Sequence, residues 1–322
     1  MNSTDLTILL PVYNDWAALN ELLGLIDRAL LDARLRAGIL IVDDGSHSES
    51  DWMPRLAEDS AIAEVVVLTL DHNHGHQFAI AVGLAHLGRR EHSGAVVVMD
   101  ADGEDDPAYI PALLQESASP QARVVFAARR RRLEGRAFRT GYLLYRLAFR
   151  ALAGRSISFG NYCAIPGSLL GRVNQLPGTA QHFAAALMRS RIPHTTVPAD
   201  RKPRLAGEPR MNLISLIRHG MGAIYQYADL MAVRLMMLSL FLLLASVLGG
   251  MIVVAEKIFT DMAIPGWAST MVLGLTLVFL QSLMLSIFLV FASFQQQTLQ
   301  NLAVADNYLR HIIDTRRLAP PA

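Results

Sequence analysis

The 322-residue sequence contains one cysteine, Cys163, so no intrachain disulfide can form and a zinc site built mainly from thiolates is excluded. It has little net charge: 29 basic against 28 acidic side chains leave a formal +1, so whole-chain charge gives no argument for a nucleic-acid partner, and none is expected. No G-x-G-x-x-G follows the first apolar run, which disfavours a dinucleotide-binding oxidoreductase. No G-x-x-x-x-G-K-[ST] occurs either, which removes a P-loop nucleotidase. The N-terminus, MNSTDLTILLPVYND, lacks a basic segment before its short apolar stretch and reads as a first strand, not a signal peptide. No internal repeat or long low-complexity tract appears. What is abundant is apolar side chain, 52% of the chain at a mean hydropathy of +0.31, with the excess near the C-terminus. The length leaves room for one large domain or two smaller ones.

The first half alternates strand-like and helix-like patterns. Leu6–Leu10, Ile39–Val42, Val65–Leu70, Ala95–Met99 and Val124–Ala128 read as buried strands, with helical periodicity from Trp16, over Gln77–Leu87 and near Ala108–Gln115. That alternation argues a parallel sheet with crossover helices. All these strands except the third end directly in a polar cluster: Tyr13–Asp15, Asp43–Asp44, Asp100–Glu104 and Arg129–Arg132. In an open α/β sheet, ligands bind along that edge.

The stretch AVVVMDADGEDDP, residues 95–107, carries the most chemistry. Asp100 and Asp102 follow the strand directly, with Ala101 between them. In an extended segment both carboxylates point the same way, and Glu104 continues the alternation. Adjacent like charges repel unless a cation separates them, and the economical solution is Mg²⁺ or Mn²⁺ on oxygen ligands. The bland alternative is a solvated turn. It suits Asp106, which precedes proline as an N-cap would. Asp15 could likewise cap the first helix, and Tyr13 could be plain packing. The histidines in Asp71–His76 invite a zinc reading, but loop histidines without nearby cysteines are usually solvated.

PVYND at 11–15, VDDGS at 42–46, NHGHQFAIAVG at 73–83 and MDADGEDDP at 99–107 resemble the signatures of family 2 glycosyltransferases with the GT-A fold. Within that family the chain most resembles membrane-bound polyprenyl- or dolichyl-phosphate sugar synthases, from about Leu6 to Arg210. The resemblance implies a Rossmann-like, mostly parallel α/β catalytic domain that binds a nucleotide-sugar donor. Pro11, Tyr13, Asp15, Val42 and Asp44 would lie at the base and ribose, with Asp43 adjacent. Asp100 and Asp102 would hold the metal on the diphosphate, with Ala101 between them in the donor site. The related synthases have a glutamine facing the metal where this chain has Glu104. Arg129 and Arg139 stand where they place phosphate-binding arginines. Arg204 and Arg210 match cations of a loop that folds over the diphosphate and lipid phosphate. The resemblance also implies inversion at the anomeric carbon. The Q-x-x-R-W motif of processive synthases is absent, which argues for single transfer.

The segment Phe159–Cys163 departs from those relatives at Asn161 and Cys163, which keeps open a glycolipid or membrane-protein acceptor in place of polyprenyl phosphate. A hydroxyl acceptor would need a general base, with Glu104 or Asp105 the first candidates. A non-catalytic membrane scaffold that kept the fold is the rival from another class.

The C-terminal third reads as membrane-embedded. Met211–Leu230 suits an interfacial amphipathic helix. Leu235–Ala255 carries no charge over 21 residues, and roughly Trp267–Phe294 supplies a second span. Arginines 210, 218 and 234 precede this hairpin and 310, 316 and 317 follow it, while the connecting loop has Lys257 as its one basic residue. By the positive-inside rule the catalytic domain and both termini face the cytoplasm at the plasma (inner) membrane. The expected organisation is a catalytic domain over 1–210, a juxtamembrane helix over 211–234, two transmembrane helices within 235–294 and a helical, amphipathic cytoplasmic tail over 295–322, lying against the catalytic domain or the membrane. Hairpins of this kind often pack against copies of themselves, so a homo-oligomer stays open.

Overall fold

A computed structural model describes residues 6–47, 52–89, 94–129, 159–206, 226–259, 266–300 and 307–318. Eight strands form one sheet: β1 (Leu6–Val12), β2 (Ala37–Asp43), β3 (Ile62–Leu70), β4 (Ala95–Val98), β5 (Val124–Arg129), β6 (Phe159–Ile165), β7 (His194–Ala199) and β8 (Ile312–Leu318). Their spatial order is β7-β5-β6-β4-β1-β2-β3-β8. β1 pairs in parallel with β2 and β4, β2 with β3, and β5 with β7. β6 is antiparallel to both β4 and β5, and β8 is antiparallel to β3. The sheet is therefore mixed, with two strands reversed in an otherwise parallel order.

Alternation along the strands builds a core on each face. Ile8, Leu10, Ile39 and Ile41 meet Leu19, Leu22 and Ile26 of α1 (Trp16–Asp32) and Ile110 and Leu113 of α3 (Ile110–Ser117). Leu9, Leu40 and Val42 face the other way. They join Ile80 and Val82 of α2 (His76–Arg89), Leu170 of α4 (Gly167–Asn174) and Phe183 of α5 (Thr179–Arg189). Fully burying such a side chain contributes roughly 1.5–3 kcal/mol. A continuous apolar run such as β1 is thus the signature of a strand covered on both sides.

The tail corrects the sequence reading. Residues 312–318 are a strand, not a helix, and they lie along β3. Without it, the outer edge of β3 would expose a row of unpaired amides and carbonyls, a need that side-chain periodicity does not encode. The compact unit that contains the sheet accordingly takes in residues 302–322 as well as 1–139 and 157–226.

The second compact unit includes 227–301. In it α6 (Ala228–Phe259) and α7 (Trp267–Gln300) pack against each other, and both contain a stretch long and apolar enough to cross a membrane. Phe241, Leu244, Met284 and Phe288 are exposed on these helices, which is the opposite of a buried soluble pair. Most of the predicted juxtamembrane helix, 211–225, lies outside the described residues.

Candidate active site

Because β1, β2, β4 and β5 run the same way, their carboxyl ends share one edge of the sheet. β6 runs the other way, so its first residues, including Asn161, arrive at that edge from the opposite direction. The sequence reading recognised the segment around Asn161 but did not make it a strand.

Strand β4 ends at Val98, one residue earlier than the apolar run predicts, and Asp100–Gly103 form a turn. Asp100 and Asp102 therefore do not alternate along an extended strand, as their spacing predicts they would; the turn brings the two acids near one another. Asp102 Oδ1 accepts the Glu104 N–H at 3.0 Å, and Asp105 Oδ2 accepts the Asp100 N–H at 3.0 Å. Gly103 holds φ +79°, and a Cβ there would lie 2.3 Å from the Leu205 side chain, so both the turn and the close approach require glycine. Burial, and then the neighbouring Asp100 carboxylate, push the Asp102 carboxyl up to about 6, against the pull of Arg204 and Arg201.

Residues 201–206 lie across this turn. Lys202 N–H donates to Glu104 O at 2.9 Å and Leu205 N–H to Asp102 O at 3.1 Å. That docking carries three cations to the acids. The Arg204 guanidinium reaches Asp15 Oδ2 at 2.5 Å and Asp102 Oδ2 at 3.4 Å. Arg201 pairs with Glu104, and Lys202 lies 3.0 Å from Asp106. Asp106 also accepts the Ala108 N–H ahead of Pro107, the cap that the Asp-Pro pair predicts.

On the other flank, His76 Nε2 lies 3.0 Å from Asp100 Oδ1 and 3.1 Å from Asn161 Nδ2. Gln77 Nε2 donates to Asn161 Oδ1 at 3.1 Å, and its own Oε1 accepts the Phe183 N–H at 2.6 Å. Desolvation opposes charge on His76, yet the ring stays 40% exposed, and Asp100, Asp102 and Asp105 raise its basicity overall. His76, Gln77 and Arg201 are site residues that the sequence reading passed over. The one available signal was their place inside the NHGHQ and RKPR motifs.

The ends of β1 and β2 are laced together. Asn14, at φ +53°, donates its N–H to the Ser46 hydroxyl oxygen at 2.7 Å and accepts the His47 N–H on Oδ1 at 2.9 Å. Tyr13 OH sits 3.3 Å from His47 Nε2, and Asp43 Oδ1 accepts the Ser46 N–H at 3.0 Å. Asp15 is the N-cap residue of α1 yet makes no side-chain cap bond; its carboxylate goes to Arg204. Asp44 is 2% exposed, and its two oxygens accept the His74 and Gly75 N–H groups at 2.8 Å each. Burial raises its carboxyl and those amides hold it down, with burial the larger effect. Pro11, Val42 and Ala101 are buried, Val42 in the core beneath α2.

Tyr13, Asp15, Asp100, Asp102, Glu104 and Arg204 thus gather at one edge. Arg129 ends β5 on that edge, although its side chain, with Arg139 and Arg210, lies outside the described residues. Cys163 is fully buried opposite Val98, and burial pushes its thiol far up. Asp100 and Asp102 fit a hard divalent cation: they offer oxygens only, remain 29% and 18% exposed, and burial together with the Asp100 charge makes an unneutralised Asp102 carboxylate costly. The Glu104 carboxylate is engaged by Arg201.

A histidine cluster stands at the end of β3, where solvated loop residues were expected. His74 is 14% exposed, its ring stacks on Phe78 at 4.4 Å between centroids, and its Nε2 lies 2.7 Å from Asp71 Oδ1. His311, from the far end of the chain, completes the group.

The family model described as "Glycosyl transferase family 2" matches residues 7–187. The uncharacterised glycosyltransferase YkcC of Bacillus subtilis is 27% identical over 84% of this chain and 82% of its own length. Undecaprenyl-phosphate 4-deoxy-4-formamido-L-arabinose transferases of Klebsiella pneumoniae and Pseudomonas aeruginosa are each 32% identical over about a third of either chain. The glucosyl-3-phosphoglycerate synthase of Mycobacterium tuberculosis, solved with Mn²⁺ and UDP-glucose, superposes with a TM-score of 0.48 at 16% identity, covering 70% of this chain and 79% of that one. With the family model spanning more than half its length, and with a mixed α/β sheet of the GT-A kind, the chain belongs to glycosyltransferase family 2.

Proposed function

We propose that the enzyme moves one sugar from a nucleoside-diphosphate donor to a polyprenyl phosphate at the cytoplasmic face of the membrane, with inversion at the anomeric carbon and with Mg²⁺ or Mn²⁺ bound. The observation that carries this reading is the Asp100–Asp102 turn with the 201–206 segment docked over it, acids below and guanidinium groups above. A bound cation would supply Lewis-acid neutralisation of the diphosphate, held by Asp100 and Asp102. Arg204 then stabilises negative charge on the leaving diphosphate, and Arg129, Arg139 and Arg210 extend that role to phosphates of donor and acceptor. Arg201 positions Glu104, and His76 positions Asp100. Asp15 holds Arg204 in place between donor-site loops, and Tyr13 with Asp43 supports the base and ribose end.

The contacts of the nearby acids support a phosphate acceptor. Glu104 is paired with Arg201, and Asp105 Oδ2 accepts the Asp100 N–H, so both acids nominated as general bases already carry structural contacts. A phosphate monoester, with a second pKa of about 6, is already ionised at neutral pH and attacks without one. The partial match to undecaprenyl-phosphate transferases, the two apolar helices and the basic residues flanking them support a lipid acceptor and a cytoplasmic site.

The test is transfer of label from a panel of nucleotide-sugars to undecaprenyl phosphate in membranes, with product extracted into organic solvent. Organic-soluble, divalent-dependent product is expected. Full activity in excess chelator, or label appearing on a hydroxyl-bearing acceptor alone, would remove the mechanism.

A further inference from the structure

We infer that Asp71, His74 and His311 form a second metal site, one that takes Zn²⁺ or a similar borderline cation and clasps the C-terminal strand to the donor-site loop. It uses none of the residues assigned to the sugar donor's cation and does not depend on the proposed acceptor.

The ligand atoms, one oxygen and two imidazole nitrogens, all lie within 4.8 Å of one another. The Asp71 Oδ1 to His74 Nε2 separation is 2.7 Å and that to His311 Nδ1 is 3.9 Å. Donors of a tetrahedral zinc with bonds of about 2.1 Å stand about 3.4 Å apart, between those two values. Small side-chain rotations close the shell, because Asp71 and His311 are each 34% exposed. That exposure also leaves the fourth position to water. Two imidazoles and one carboxylate suit zinc better than Mg²⁺, which prefers oxygen alone.

The shell is preorganised. The Asp71 N–H donates to His311 O at 3.0 Å, so two ligands are joined through the main chain at the mouth of the β3–β8 pair. Asp44 grips the His74 and Gly75 N–H groups, which fixes the third. Phe78 stacks on the His74 ring and stands edge-on to His311 at 5.1 Å, which narrows the orientations open to both rings. A fixed main chain and an aromatic backing, which leave only small side-chain adjustments, are what separate a built site from a chance grouping. Its consequence is mechanical. His311 immediately precedes the strand that follows the apolar hairpin, and His74 is two residues from His76 at the active site. A bound ion couples the end of the chain to the loop that Asp44 anchors.

The experiment uses the full-length protein in detergent, stripped with chelator and titrated with Zn²⁺ or Co²⁺ alone. Stoichiometric uptake is expected, with the intense visible bands of tetrahedral Co²⁺. Asp102→Asn should leave those bands unchanged, while His74→Gln and His311→Gln should each weaken binding by about 100-fold or more. Zinc should also slow amide exchange across β8. X-ray absorption of the zinc-loaded wild type needs no variant, and should show two imidazoles with light-atom ligands. A shell without imidazole, bands lost in Asp102→Asn but kept in His311→Gln, or no stoichiometric uptake by wild type would overturn the site.

Discussion

Two clusters on one edge of the sheet invite comparison: the acidic turn after β4 and the histidine group after β3. At the first, five acids from Asp100 to Asp106 are matched by Arg201, Lys202 and Arg204 from a segment a hundred residues later. At the second, one acid is matched by imidazoles, one of them carried in by the C-terminal strand. The first is charged and offers carboxylate oxygens and guanidinium groups, the donor set proposed here for a cation and phosphate. The second offers imidazole nitrogens, one ring stacked on Phe78, and is the proposed clasp on the main chain. Shared position along a sheet edge thus does not mean shared chemistry; the donor atoms decide it.

The largest effect that would break this contrast is at Asp102. Asp102→Asn should lower transfer by about 1,000-fold or more, measured as organic-soluble product, because the variant loses charge where the diphosphate is neutralised. Near-wild-type turnover would mean the acidic turn is not the chemical centre. Next comes Arg204→Ala, expected to lower kcat/KM by about 100-fold, with Arg204→Lys recovering only part because a point charge cannot span Asp15 and Asp102. An unchanged kcat/KM in both would reduce Arg204 to a surface ion pair.

Stability should move less. Gly103→Ala is expected to cost about 1–3 kcal/mol and to loosen the 201–206 segment, read as lower thermal stability and faster proteolysis there. Equal protease resistance would show that the docking over the turn does not need the left-handed glycine.

A pH test sharpens the electrostatics. The Asp102 carboxyl is raised from 3.8 to about 6, so the folded state holds its proton more tightly than the unfolded chain does. Its contribution to stability is complete below about 4 and is lost as pH rises through about 6. In chelator at neutral pH, Asp102→Asn should therefore be more stable than wild type by about 1–3 kcal/mol. Excess Mg²⁺ or Mn²⁺ should reverse the order by stabilising wild type alone. Donor binding that depends on the divalent ion should weaken as pH falls through about 6, because a protonated carboxyl is a poor ligand. A pH-independent difference between the two proteins would contradict the raised Asp102 carboxyl, and with it the burial and the Asp100 charge that raise it.

The five strands read from apolar runs are all present, because a strand buried on both faces announces itself by composition. β6, β7 and β8 were not legible. Phe159–Ile165 carries a glycine and an asparagine, His194–Ala199 a histidine and a proline, and Ile312–Leu318 three charged residues in seven; each is a strand because a neighbour's main chain is there to pair with it. In the site, Asp100, Asp102, Asp15 and Arg204 could be named from motifs, whereas their arrangement could not. The turn after Val98 replaced the extended segment on which the side-by-side argument rested, and Glu104 turned to Arg201.

By itself the sequence determined the parallel core, the placing of acids at strand ends and the two apolar helices, since each follows from side-chain periodicity and local spacing. Tertiary structure alone decided which distant groups meet: Arg204 with Asp15 across 189 residues, Asn161 with Gln77, and His311 with Asp71. The reason is physical. Periodicity reports which face of an element is apolar, but a contact between far-separated polar groups depends on strand direction and main-chain pairing, and these are fixed only when the whole sheet closes its edges.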